Sequence, residues 1–221
     1  RELDKNYRQG QPFFTQIMTV SNHRPFTYPD GRIDIPSDHH SREGGVKYTD
    51  YAIGDFIKRA TAKPWFSNTM FVIVADHCAS SAGSSDLPVT GYHIPLLIYS
   101  PSFIHKPRNI DILTGQIDIA PTILGLLGFS YKSKFFGQDV FDSVTAQRKR
   151  AFISTYQGLG FLAHENLVVQ TPVKKVNMYK PNFVNGNATK IPVSDSLEKL
   201  AIAYYQVASW LIKNGGYKKL Q

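Results

Sequence analysis

Met70-Phe71-Val72-Ile73-Val74-Ala75-Asp76-His77 is the stretch on which the fold turns. Six apolar residues, three of them β-branched, run without a polar interruption and then stop at an acid and an imidazole. Such a run predicts a strand covered on both faces, as in a mostly parallel sheet with helices packed on either side. The residues after His77, from Cys78 to Ser85, are small and include Gly83, so the strand gives way to a loop. Ligands of open α/β sheets collect beyond the carboxyl ends of the strands. Asp76 and His77 therefore stand where chemistry is expected.

Upstream, Phe13 to Val20 reads as a second buried strand, rich in aromatic and β-branched residues, and it runs into Ser21-Asn22-His23. If the two strands are parallel neighbours, His23, Asp76 and His77 share one sheet edge. Residues from about 24 to 44 read as a long loop containing His39-His40. A helix follows from Gly45 to Ala60, with Val46, Ala52, Ile53, Phe56 and Ile57 on one stripe. Ile94 to Tyr99 forms a third strand, placed at an entry or edge by Pro95. Asp118 to Leu127 reads as a helix that tolerates Pro121 in its first turn and stops at Gly128.

Past Gly137 the texture changes. Ala151 to Tyr156, Gly160 to His164, Asn166 to Thr171 and Lys174 to Tyr179 predict a small antiparallel sheet. Ser194 to Lys213 is a last helix, with Ser194 as its N-cap and Gly215-Gly216 beyond its end. The expectation is an α/β core over residues 1–145 and a small sheet-plus-helix subdomain over 146–221.

The 221 residues carry 25 Lys/Arg against 17 Asp/Glu, a net charge of +8, which favours anionic partners. The basic clusters Arg148-Lys149-Arg150, Lys174-Lys175 and Lys218-Lys219 are too short for a nucleic-acid stripe, and nucleic acid is excluded as a partner. One cysteine, Cys78, rules out an internal disulfide and a Cys-based zinc site. No stretch approaches the ~20 apolar residues that span a bilayer.

A carboxylate beside a neutral imidazole suits Zn²⁺ or Mn²⁺. Adjacent residues on a straight strand face opposite ways, so Asp76 and His77 reach one ion only where the strand breaks into its loop. The other reading of the pair is a helix cap and a hydrogen-bonded loop histidine. His93, just ahead of the third strand, is a further candidate, with a backbone-satisfied loop histidine as its alternative; the same two readings apply to His23. His39 and His40 read as solvated loop residues, and Cys78 as a small loop residue rather than a nucleophile.

Phe71 to Ser81, Tyr92-His93-Ile94-Pro95-Leu96-Leu97-Ile98-Tyr99-Ser100-Pro101, Gln116 to Leu124, Phe136-Gly137-Gln138-Asp139 and Ser21-Asn22-His23-Arg24-Pro25-Phe26 occur in order. Together they resemble the sulfatase-like branch of the alkaline phosphatase superfamily, and more narrowly its lipoteichoic acid synthase and phosphoglycerol transferase group. The resemblance implies part of a sulfatase-like three-layer sandwich with a mostly parallel sheet. It implies a divalent metal (Mn or Zn first, Mg or Ca next) on Asp76 and His77, with His23 and His93 in catalytic or substrate-contacting roles. It also implies a membrane-anchored enzyme with an extracytoplasmic catalytic domain, acting on an anionic lipid or glycan ester. The metal-activated nucleophile and a further acidic ligand are implied upstream of Arg1, so these residues carry half of a site and are expected to be inactive alone. A sulfuric-ester hydrolase on the same scaffold, or a non-catalytic anion-binding module, are the other functions open to this text.

Overall fold

A strand is stable only when its backbone groups find partners, and this decides which apolar runs become strands here. In the computed structural model, which describes residues 1–79, 87–144 and 148–218, Phe71–Val74 (β1) pairs with Leu96–Tyr99 (β2) in a two-stranded sheet. Phe13 to Val20 forms no strand. Among the described residues nothing pairs with it, and Phe14, Ile17, Met18 and Val20 are 64–90% exposed. The expected mostly parallel sheet is accordingly not seen among the described residues. The small-residue loop at 80–86 and the basic residue Lys219 lie outside the described residues.

The chain divides into two units, residues 1–73 with 97–107 and residues 74–96 with 108–221. The first holds the helices Glu2–Arg8 (α1) and Arg42–Ala60 (α2). Ser41 caps α2 by accepting from the Gly44 amide at 3.0 Å, so the helix begins one turn before the expected Gly45. Gly44 is required at that turn: a Cβ there would sit 2.1 Å from the Tyr28 hydroxyl. Tyr28 stacks on Tyr48 at 5.2 Å between ring centres and fastens the preceding loop to the helix. Phe56, Phe66, Phe71 and Tyr99 form an aromatic cluster around β1 and β2.

Asp4 on α1 accepts from Lys63 Nζ and from the indole Nε1 of the buried Trp65, both at 2.8 Å. These two hydrogen bonds hold its carboxyl below its ordinary pKa, the one from Lys63 contributing most. A lowered folded-state pKa gives stability that is complete above the unfolded value and is lost as pH falls through the lowered one. Acidification below about pH 4 is therefore expected to release Trp65, read as a red shift of its emission in a Trp210→Phe background. Asp4→Asn should lose this acid step, and an unchanged step in that variant would place its origin elsewhere.

In the second unit, Ile119–Leu126 (α3) follows a 3₁₀ turn at Gln116–Asp118, and Gly128 at φ 71° ends it as expected. The antiparallel sheet is a meander: Arg150–Ser154 (β3), Leu159–Ala163 (β4), Asn166–Thr171 (β5), Lys175–Pro181 (β6) and Ala188–Ile191 (β7), in that spatial order. The four expected strands are present, and β7 is a fifth that sequence patterning missed. Its side chains alternate and both faces are covered. Phe161, Ala163 and Val168 pack towards Ala201 of the helix Asp195–Lys213 (α4), while Leu162, Leu167 and Val169 pack against Leu87 and Val89. The segment following the Asp76-His77 loop is thus built into the back of this sheet.

A buried ion pair ties the sheet to the 3₁₀ turn. Asp118 and Arg150 are 2% and 3% exposed. Asp118 accepts from the amides of Gly115 and Gln138 at 2.9 Å and from both terminal nitrogens of Arg150 at 3.0–3.1 Å. Arg150 also donates to the Phe136 carbonyl at 2.6 Å. Gly137 lets that segment cross the turn, since a Cβ there would collide with the Ile117 carbonyl.

Candidate active site

Asp76 and His77 follow β1 at the point where the backbone leaves the extended strand, and their side chains approach each other. Asp76 Oδ1 accepts from the His77 amide at 2.9 Å, and its Oδ2 lies 3.4 Å from His77 Nε2. No helix starts here for Asp76 to cap. His77 Nδ1 is 2.8 Å from the Cys78 carbonyl. A carbonyl only accepts, so Nδ1 carries a proton, and in the neutral form of the ring the lone pair is on Nε2, beside the carboxylate. The two side chains are about three-quarters exposed, at 77% and 73%, and open to a ligand.

This arrangement fits a cation. Two donors each about 2.0–2.2 Å from one tetrahedral ion lie roughly 3.3–3.6 Å apart, the separation found between Oδ2 and Nε2. An Nδ1–carbonyl bond like that of His77 is the kind of outer-shell contact that orients ligating imidazoles. Among the described residues no group of three or more His, Cys, Asp or Glu side chains converges, and these residues offer a pair of donors.

Gln116, a residue that the sequence marks only by its motif, secures the strand end. Its Nε2 donates to the Asp76 carbonyl at 2.7 Å and to the Ala75 carbonyl at 3.3 Å. His93 is exposed, and its carbonyl accepts from Cys78 Sγ at 3.1 Å, which holds the two arms of the loop together through backbone and thiol. Its ring does not join a cluster with Asp76 and His77. Cys78 is partly buried in this structural contact.

His23 lies in the first unit. It is exposed, and its Nδ1 donates to the Arg24 carbonyl at 2.8 Å, which leaves Nε2 without a partner among the described residues. Neighbouring His40 binds the Pro25 carbonyl at 3.0 Å. His39 and His40 are exposed, as expected of loop histidines.

The sulfatase family model matches residues 2–129, more than half of the chain. The chain belongs to the sulfatase family. It is similar to the lipoteichoic acid synthase-like protein YvgJ of Bacillus subtilis, at 29% identity over a 152-residue alignment covering 59% of this chain and 25% of that protein. It is also similar to lipoteichoic acid synthase of Staphylococcus aureus, at 27% identity, covering 61% of this chain and 24% of that protein. Among solved structures, a protein of the alkaline phosphatase superfamily from Vibrio parahaemolyticus superposes with a TM-score of 0.89 at 32% identity. That match covers 99% of this chain and 54% of the other. The chain therefore spans about a quarter of the length of these curated relatives and about half of the solved one. The sulfatase-like α/β fold and its C-terminal sheet and helix are those of this superfamily, and Asp76, His77, His93 and Gln116 fall within the matched family region.

Proposed function

We propose that the protein carrying this chain is a metal-dependent phosphotransferase of the sulfatase family that moves phosphoglycerol or phosphoethanolamine groups onto membrane lipid or glycan. The similarity to lipoteichoic acid synthases supports this choice of group over sulfuric-ester hydrolysis. The observation that carries the metal reading is the Asp76–His77 pair, with Oδ2 and Nε2 at the spacing of one tetrahedral edge. Asp76 and His77 would hold a divalent cation, Mn²⁺ or Zn²⁺ by donor chemistry. Such an ion supplies an activated hydroxyl nucleophile and offsets charge on the transferring phosphoryl group.

The chain's own residues have separate tasks in this reading. Gln116 keeps the backbone of Asp76 in place, and the Cys78 carbonyl keeps the His77 ring turned with Nε2 outward. His23 contacts the transferred group through Nε2, and His93 is a second contact. The nucleophile and the remaining acidic ligand lie outside residues 1–221. The catalytic domain works on the outer side of a membrane to which the intact protein is anchored. No helix among the described residues is itself long and apolar enough to cross one.

Soaking crystals of the intact protein with Mn²⁺ or Zn²⁺ tests the metal reading. Anomalous density is expected within about 2.0–2.3 Å of Asp76 Oδ2 and His77 Nε2; an ion bound only elsewhere would remove this pair from the metal site.

A further inference from the structure

Helix α4 buries one face against the sheet through Leu197, Ala201 and Tyr204. Beside that face runs a second apolar stripe that is exposed. Leu200, Ala203, Val207 and Trp210 recur at three- and four-residue spacing and are all exposed, Trp210 by 60%. One helix face cannot pack on the sheet and present this stripe for the same purpose. The stripe is available to something else.

Its surroundings define the chemistry. Leu200 and Tyr204 form one wall of a groove of about 330 Å³ whose other wall carries Arg148, Lys149 and His164. The β3–β4 register places Arg150 opposite Ala163, so Lys149 and His164 follow at the same end of the hairpin. His164 is held there by a two-residue turn in which it and Glu165 both have positive φ. Arg150 is committed to Asp118, but Arg148 and Lys149 make no ion pair among the described residues, and Glu165 pairs with neither. Along the other border of the stripe stand Lys199 and Lys213. The helix's only carboxylates, Asp195 and Glu198, sit in its first turn.

We infer that this face of α4 docks on an anionic lipid surface, with Trp210, Val207 and Leu200 entering the headgroup–acyl boundary and Arg148, Lys149, Lys199 and Lys213 meeting the phosphates. An apolar stripe bearing tryptophan and edged by Lys and Arg is the pattern of a helix lying in a membrane interface. Long cationic side chains reach outward from such a stripe while their stems stay on apolar surface. The surface uses neither Asp76 nor His77, and the inference does not depend on the catalytic reading. The end of the helix is firm enough to present it, because Lys134 Nζ donates to the carbonyls of Gly216 and Lys218 at 2.8 Å.

The two tryptophans make the test direct, since Trp65 is 5% exposed and Trp210 is 60% exposed. The full chain is floated with phosphatidylglycerol–phosphatidylcholine vesicles and with pure phosphatidylcholine vesicles while tryptophan emission is followed. Partition onto the anionic vesicles alone, weakened by salt and accompanied by a blue shift, is expected. Trp210→Ser should abolish the shift and lower partition by at least about tenfold. Arg148→Gln with Lys149→Gln should lower it by about thirtyfold, at ~1 kcal/mol for each basic residue near the surface. Lys199→Gln with Lys213→Gln should act in the same direction without touching any packed side chain. Three results would overturn the inference: partition that none of these variants changes, an equal blue shift with free glycerol phosphate, or a dimer in sedimentation that Trp210→Ser dissolves. The second would mean a headgroup-sized anion site, and the third an interface between copies of the chain.

Discussion

If the proposed function holds, replacing His77 by alanine in the intact protein is expected to lower kcat at least about a hundredfold while leaving the melting temperature where it was. Both halves of that statement come from the geometry. The imidazole is about three-quarters exposed, and its Nδ1 bond goes to the adjacent Cys78 carbonyl, which solvent can satisfy equally well. Removing it therefore costs the fold little. Chemistry is a different matter, because in the proposed function Nε2, beside Asp76 Oδ2 at 3.4 Å, is the nitrogen that would hold the ion. Loss of a metal ligand should cost at least as much as loss of the contacts that orient one, about 10–100-fold in affinity or activity. His77→Gln, which keeps a polar side chain but moves the donor, separates ligation from bulk: it should be nearly as inactive as alanine. Turnover within threefold of wild type in either variant would take His77 out of the mechanism.

Asp118→Ala is expected to have the opposite signature, destabilising the fold by about 3–5 kcal/mol. Asp118 and Arg150 are almost wholly buried, and the carboxylate is saturated by two amides and a guanidinium. Without it, Arg150 keeps a hydrogen bond to the Phe136 carbonyl but holds an uncompensated charge away from water. Urea denaturation followed by far-UV circular dichroism should show the midpoint falling by on the order of 2 M. Replacing both partners, as Asp118→Leu with Arg150→Met, should recover much of the loss, since no charge is then left unpaired. A single-variant loss below about 1 kcal/mol, the worth of an exposed pair, would show that water reaches the pair and that it is no keystone.

Much of this could be read from the residues, and what could not has a physical reason. Phe71 to Val74 reads correctly as a strand, because an apolar, β-branched run is written in its own composition, but the expected cover on both faces is not there: its residues are half-buried and Val74 is exposed. The C-terminal meander was legible for the same reason: its alternating residues fill two distinct cores, one against α4 and one against Leu87 and Val89. Phe13 to Val20 misleads. Its composition reports a capacity for pairing, while pairing itself needs another strand alongside, and none of the described residues provides one. β7 escaped notice because Ala188-Thr189-Lys190-Ile191 carries almost no apolar signal and is a strand only by virtue of its register with β6. At the site, Asp76 and His77 were found by their position at a strand end, whereas the bond from Gln116 joins segments forty residues apart, which no local pattern encodes.

That bond has a reach longer than its 2.7 Å. Gln116 and Asp118 belong to one 3₁₀ turn; Gln116 grips the carbonyl of Asp76, and Asp118 is moored through Arg150 to the first strand of the meander. The sheet and its helix, which contribute no donor to the pair, thus serve as ballast for it. Catalytic groups displaced by about 1 Å lose on the order of a hundredfold in rate. Selection for precise placement of Asp76 would then act on core residues such as Phe161 and Leu167, so loss-of-function changes should be found well away from any residue that meets substrate.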